Sequence, residues 1–142
     1  MTIAAVLGNK GRDVVSITAH QTVQDALRVL AERRIGAVPV MDGPAVVGIF
    51  SERDVITALN GAGGEALTRK VGEVMTAPAI TVGPQEPVIG ALSLMTRRRI
   101  RHLPVIEGGR LVGFVSIGDL VKYRIDRIEA DAAAMRDYIQ QA

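Results

Sequence analysis

The chain contains the same unit twice. At an offset of 65 positions, Val14–Ile56 aligns with Ala79–Val121 without a gap, as from Val23 to Val88. Identities include Ala26/Ala91, Leu27/Leu92, Arg33-Arg34-Ile35 with Arg98-Arg99-Ile100, Pro39-Val40 with Pro104-Val105, and Gly43/Gly108. They continue through Val47-Gly48 with Val112-Gly113, Ser51/Ser116 and Asp54/Asp119, and most other positions exchange like for like, such as Asp42 for Glu107. A unit this short buries little apolar surface by itself, so the two copies are expected to share their cores.

Periodicity orders the elements within each copy. Val14–Ile17 and Ala79–Val82 read as a short first strand. Val23, Ala26, Leu27, Leu30 and Ala31 then recur at helical spacing, matched by Val88, Ala91, Leu92, Met95 and Thr96. Thr22 is the candidate N-cap, with Pro87 at the matching place. Ala37–Met41 and His102–Ile106 are strands whose internal proline removes a ladder donor, which places Pro39 and Pro104 at an edge or a bulge. Asp42-Gly43-Pro44 and Glu107-Gly108-Gly109 turn each hairpin into Val46–Phe50 and Leu111–Val115, and a second helix follows Ser51 and Ser116. The class is α/β (α+β), two βαββα units in tandem.

Asn60–Gly64 reads as a flexible break, followed by a helix through Glu73-Val74-Met75. Residues after Asp126 are alanine-rich and predict a terminal helix. Its apolar stripe of Ile125, Ile128, Met135, Tyr138 and Ile139 suits docking on this chain or on a second one. The chain therefore divides into a first unit at 1–60, a linker and helix at 61–75, a second unit at 76–125 and a terminal helix at 126–142.

A hydrophobic content of 48% with 23% charge fits a compact fold, and 3% aromatics without Trp call for an aliphatic core. With no Cys, disulfides and thiolate chemistry are excluded. The N-terminus lacks the charged start and long apolar stretch of a signal peptide, and no apolar run approaches the roughly 18 residues of a membrane span. The expectation is a cytoplasmic protein with no membrane partner. A net charge of +2 is weak support for nucleic acid binding, although arginines do cluster at 97–101.

Catalytic patterns are missing from the sequence. His20 and His102 are the two candidate bases, with no Gly-x-Ser-x-Gly elbow and no paired histidines for a metal. The carboxylate pair Glu52/Asp54 becomes Ile117/Asp119 in the second copy, against a paired-acid mechanism. The glycine-rich segments lack the Lys-Ser/Thr ending of a phosphate loop.

The repeated Gly-x-x-Ser-x-x-Asp remains: Gly48, Ser51, Asp54 and Gly113, Ser116, Asp119. In structural terms Ser caps a helix and Asp complements the positive end of its dipole. In functional terms the same carboxylate can accept hydrogen bonds from both hydroxyls of a ribose. The small Gly36-Ala37 pair admits a flat base, which Ile49 or Phe114 can cover. Arg53, Arg101 and His102 suit phosphates, whereas Arg97–Arg99 read as solvated cations at a helix end.

This combination resembles the CBS domain family, named for cystathionine β-synthase. The residues that carry the resemblance are Ile35–Gly43 and Val47–Asp54, then Ile100–Val105 and Val112–Leu120. Two tandem copies covering almost the whole chain resemble the stand-alone bacterial kind of Bateman module. The resemblance implies a pseudo-twofold between copies and two clefts for AMP, ADP, ATP, NAD or S-adenosylmethionine, with no catalytic cofactor. It also implies a homodimer and regulation of an unidentified protein by conformational change, while the weak net charge leaves nucleic acid outside the expected partners. Each cleft would join the Ser-x-x-Asp of one copy to backbone of the other. The Asp119 cleft would use Lys10, Arg12, Ile35, Gly36, Ala37, Arg101, Phe114 and Ser116; the Asp54 cleft would use Ile49, Ser51, Thr76, Pro78, Ile80, Ile100, Arg101 and His102, with Arg53 as a phosphate partner. Gly36 stands where the second copy has Arg101, so the clefts should differ, and the Asp119 cleft is the expected stronger site. The alternatives are a nucleic-acid binder and a docking module with empty clefts.

Overall fold

The computed structural model describes residues 1–141. Helix α1 (Ile3–Lys10) precedes the first copy, which comprises β1 (Ile17–Thr18), α2 (Val23–Arg33), β2 (Ala37–Asp42), β3 (Ala45–Ser51) and α3 (Glu52–Ala62). A 3-10 helix (Gly63–Thr68) and α4 (Val71–Val74) lead to the second copy, α5 (Val88–Arg98), β4 (His102–Glu107), β5 (Arg110–Ser116) and α6 (Ile117–Gln141).

The duplication extends to register. In the first hairpin Ala37 faces Ser51 and Val40 faces Gly48, and in the second His102 faces Ser116 and Val105 faces Gly113. Both hairpins slip one position after the valine that follows the proline, between Val40 and Met41 and between Val105 and Ile106. The prolines themselves pair in register, Pro39 with Ile49 and Pro104 with Phe114, so they stand beside the bulge and not in it. The first strand is shorter than expected and lies at the end of its predicted span. Ile17 pairs in parallel with Val40, and the second copy keeps a single bridge, Val82 to Val105.

Thr22 caps α2 as expected, its hydroxyl accepting from the Asp25 N–H while the Asp25 carboxylate accepts from the Thr22 N–H. Pro87 starts α5 without a side-chain cap. The expected break at Asn60–Gly64 is displaced, because α3 runs through Gly61 to Ala62. Burial of Ala58 and of Ala66 in the 3-10 helix offsets the cost of about 1 kcal/mol for a helical glycine. The second and terminal helices of the second copy are one helix, continuous across Asp126, since no Gly or Pro interrupts 119–141. The terminal Ala142 of the expected 126–142 unit lies outside the described residues.

Helix α1 has no counterpart among the expected elements, and it packs on the other copy. Ile3, Val6 and Leu7 are buried with Val82, Val88, Ala91, Met95, Leu103, Val105, Val115 and Leu120 of the second copy. Conversely, Val71 of α4, with Val74 and Met75 beside it, completes the first copy's core around Val23, Val38, Val40 and Phe50. Backbone bonds fasten both exchanges: Ile3 N–H to the Glu86 carbonyl at 2.9 Å, and Val71 N–H to that of Gln21 at 2.8 Å. Each large aliphatic side chain buried this way contributes about 1.5–3 kcal/mol, so the exchanged helices stabilise the cores they enter. Two glycines make room for them. A Cβ on Gly48 would lie 2.7 Å from Met75 Sδ, and one on Gly113 would lie 2.6 Å from Leu7 Cδ2.

Candidate functional site

Each Ser-x-x-Asp sits where a hairpin's last strand enters a helix, and the backbone holds both carboxylates alike. Ser51 N–H donates to Asp54 Oδ2 and Ser116 N–H to Asp119 Oδ2, both at 2.8 Å. Beyond that bond the copies differ. In the first, Thr76 supplies two neutral donors: its N–H to the Ile49 carbonyl and its hydroxyl to Asp54 Oδ1, each at 2.9 Å. In the second, the Lys10 ammonium takes both equivalent acceptors, the Phe114 carbonyl and Asp119 Oδ2, each at 2.6 Å. Among the described residues Asp119 has a cationic partner, in a partly exposed ion pair, and Asp54 has none.

The open volume lies on the Asp54 side, a cavity of about 670 Å³, within the range that holds a nucleotide-sized ligand. Ser51, Glu52, Arg53 and Asp54 form one wall at the start of α3. Arg98 at the end of α5, the connecting Arg99, Ile100 and Arg101, and His102 at the start of β4 line the cavity as well. Ile49, Thr76, Pro78, Ala79 and Ile80 line its apolar part. The cavity thus offers carboxylates that can accept from hydroxyls and guanidinium groups that can donate to phosphate oxygens. Asp54 has three donors, two of them the Ser51 and Thr76 hydroxyls, which can rotate aside for a ligand.

All eight residues expected beside Asp54 line this cavity, as does Arg53. The set expected beside Asp119 does not stay together. Lys10, Phe114 and Ser116 do meet Asp119 or its lysine, whereas Gly36 and Arg101 line the Asp54 cavity. Ala37 is buried in β2, Ile35 packs against the first core, and Arg12 is exposed. The Asp119 cleft was the expected stronger site, whereas the cavity of about 670 Å³ is lined by Asp54 and not by Asp119. Arg101, just before β4 in the second copy, lines the same cavity as Asp54 of the first. Arg98 and Arg99 are also cavity residues, not only helix-end cations. Their place in one cavity with Asp54 had no signal within either copy, because it joins residues of both copies.

His102 joins the two aspartate neighbourhoods. It lines the cavity and stacks on Phe114, with ring centroids 5.5 Å apart and planes 13° apart. Burial lowers its pKa, and the Lys10 charge lowers it further. For Asp119, burial pushes upward, but hydrogen bonds from Lys10 and Ser116 outweigh it and hold the carboxyl below its ordinary value.

Among the described residues no helix is long and apolar enough to cross a membrane. The family model for the CBS domain matches the chain twice, at residues 10–61 and 71–126. A CBS domain-containing protein of Arabidopsis thaliana, CBSX3, mitochondrial, is 34% identical over 148 residues, covering 98% of this chain and 72% of that protein. The crystal structure of the CBS-domain containing protein ATU1752 from Agrobacterium tumefaciens aligns with a TM-score of 0.84 at 38% identity, over 87% of this chain and 99% of that one. The CBS domain pair of protein MJ0100, solved in complex with 5'-methylthioadenosine and S-adenosyl-L-methionine, shares the fold, with a TM-score of 0.79 at 22% identity over 89% of this chain and 98% of that one.

Proposed function

The chain belongs to the CBS-domain family, and from that premise we propose that it is a non-catalytic regulatory module that binds one adenine nucleotide in the Asp54 cavity. The observation that carries this reading is the lining of that cavity, which brings the Asp54 carboxylate together with Arg53, Arg98, Arg99 and Arg101. Asp54 receives the ribose hydroxyls, the apolar strip of Ile49, Ile80 and Pro78 receives the base, and the arginines receive the phosphates. The adenosine-bearing ligands of the MJ0100 pair are in keeping with this assignment. Charge selects among such ligands: ADP and ATP bring phosphates to the guanidinium groups, whereas S-adenosylmethionine brings a sulfonium and an ammonium. The preferred ligand is therefore the polyphosphate.

The module works in the cytoplasm as a homodimer and signals to a partner protein. The ligand acts by favouring one of two arrangements, which requires different affinities for them. Calorimetric titration with AMP, ADP, ATP, NAD and S-adenosylmethionine tests the reading. Affinity should rise with phosphate number, and Asp54→Ala should weaken ATP by about tenfold or more, the loss of a charged hydrogen-bond acceptor. Absence of binding at millimolar nucleotide, or tightest binding of S-adenosylmethionine, would overturn it. RNA affinity with a steep salt dependence would point instead to the arginines as a nucleic-acid surface.

A further inference from the structure

We propose that the segment Val121–Ile139 of α6 pairs in parallel with the same segment of a second copy of this chain, as a two-stranded coiled coil. The proposal gives a surface to the self-association in the proposed function and is independent of what the cavity binds.

The first turns of α6 are held by the body of the protein, with Leu120 buried and Ile117 and Tyr123 packed against the second core. From Ile125 to Gln141 every residue except Ala133 is exposed. A helix of that length extends about 25 Å and is marginal in water without a partner. Its apolar residues are not scattered. Val121, Ile125, Ile128, Ala132, Met135 and Ile139 alternate steps of four and three, the spacing of a coiled-coil seam. Ile128, Met135 and Ile139 are 54%, 60% and 63% exposed. At roughly 100° per residue, this seam lies about a quarter-turn from the face of Ile117 and Leu120, so it is free while α6 stays docked.

The flanking charges choose the partner and its direction. With Ile125, Ala132 and Ile139 at the first core position of each heptad, Arg124 and Asp131 flank one side, and Lys122, Glu129 and Arg136 the other. In a parallel pair Arg124 meets the partner's Glu129, and Asp131 meets the partner's Arg136; symmetry repeats both attractions. In an antiparallel pair that matches the whole seam, Glu129 meets the partner's Glu129, Asp131 meets the partner's Asp131, and Lys122 meets the partner's Arg136. Every one of those contacts is repulsive. The helix is thus complementary to itself in one direction.

Because the chain has no Cys, Ala132→Cys in the full-length protein introduces a single thiol on the seam. Mild oxidation should link it into a dimer, whereas Ala133→Cys, one position off the seam, should stay unlinked. Ile128→Asp should raise the dimer dissociation constant in sedimentation by at least about tenfold without moving the melting temperature of the body. Arg136→Glu should also weaken the dimer, and Asp131→Arg added to it should restore it. If the unmodified chain dimerises but Ile128→Asp leaves the constant unchanged and Ala132→Cys stays unlinked, the surface is wrong while self-association stands. If the unmodified chain is a monomer or a trimer by mass, both the surface and the homodimer reading fail. A mixture of the Ile128→Cys and Ala132→Cys chains tests the direction: linkage of one variant to the other, without self-linkage of either, would overturn the parallel arrangement.

Discussion

Arg34 and Arg99 end α2 and α5 in the left-handed conformation, with φ of 53° and 54°. For a residue with a Cβ that conformation costs about 1–2 kcal/mol, and glycine avoids it. Glycine also loses more chain entropy on folding, about 0.4–1 kcal/mol, so Arg→Gly at either position should stabilise the fold by roughly 0.5–1 kcal/mol. For a chain of this size that corresponds to a rise in melting temperature of about 1–3 °C. The two sites share this backbone term but not their surroundings, because Arg99 lines the Asp54 cavity and Arg34 does not. A guanidinium–phosphate contact contributes about 1.5–3 kcal/mol when shielded, and solvent screening of the exposed Arg99 side chain reduces that to about 1 kcal/mol. Arg99→Gly should therefore lose about fivefold in ATP affinity while Arg34→Gly loses none. Thermal melts and calorimetric titration of the two variants check both halves. A lower melting temperature for Arg34→Gly would refute the strain argument, and equal ATP affinities would remove Arg99 from the phosphate contacts.

Gly48→Ala and Gly113→Ala should each destabilise by about 1–3 kcal/mol through overpacking, measured by denaturant titration. Only Gly48→Ala should also weaken ATP, because its Cβ would press on the Thr76 carbonyl at 2.9 Å and disturb the donor to Asp54. Lys10→Met should cost no more than about 1 kcal/mol in denaturant titration, since the ion pair is partly exposed; a loss of several kcal/mol would show that the pair is shielded. His102, whose folded pKa is lowered, takes up its proton more readily in the unfolded chain, so stability should fall as pH drops below about 6.5. Asp119, also lowered, contributes stability above its unfolded value near 4 that is lost as pH falls through the folded one. His102→Asn should flatten the first of these windows and leave the second, as followed by melting temperature against pH.

The hairpins, their prolines and the capped helices were legible because each rests on contacts between residues close in sequence, and duplication wrote every signal twice. The crossings were not. Ile3, Val6 and Leu7 after Thr2 do carry the spacing and cap of a short helix, yet nothing local says that α1 belongs to the second core. The difference between the clefts was harder still. It depends on Lys10, Met75 and Thr76, in segments that precede the aligned repeat, and on which aspartate each segment reaches. Arg98 and Arg99 had an adequate explanation as helix-end cations, so their second role became visible only when α5 was set against α3.

The exchange of α1 and α4 between the cores has a consequence for symmetry. Two identical, separate halves trading such segments would be obliged to place the same donor over both carboxylates. Joined in one polypeptide, the halves escape that obligation. One aspartate can meet the neutral hydroxyl of Thr76 and the other the ammonium of Lys10. A single chain can thereby give its two equivalent carboxylates different partners, a distinction that no symmetric pair of half-length chains could maintain.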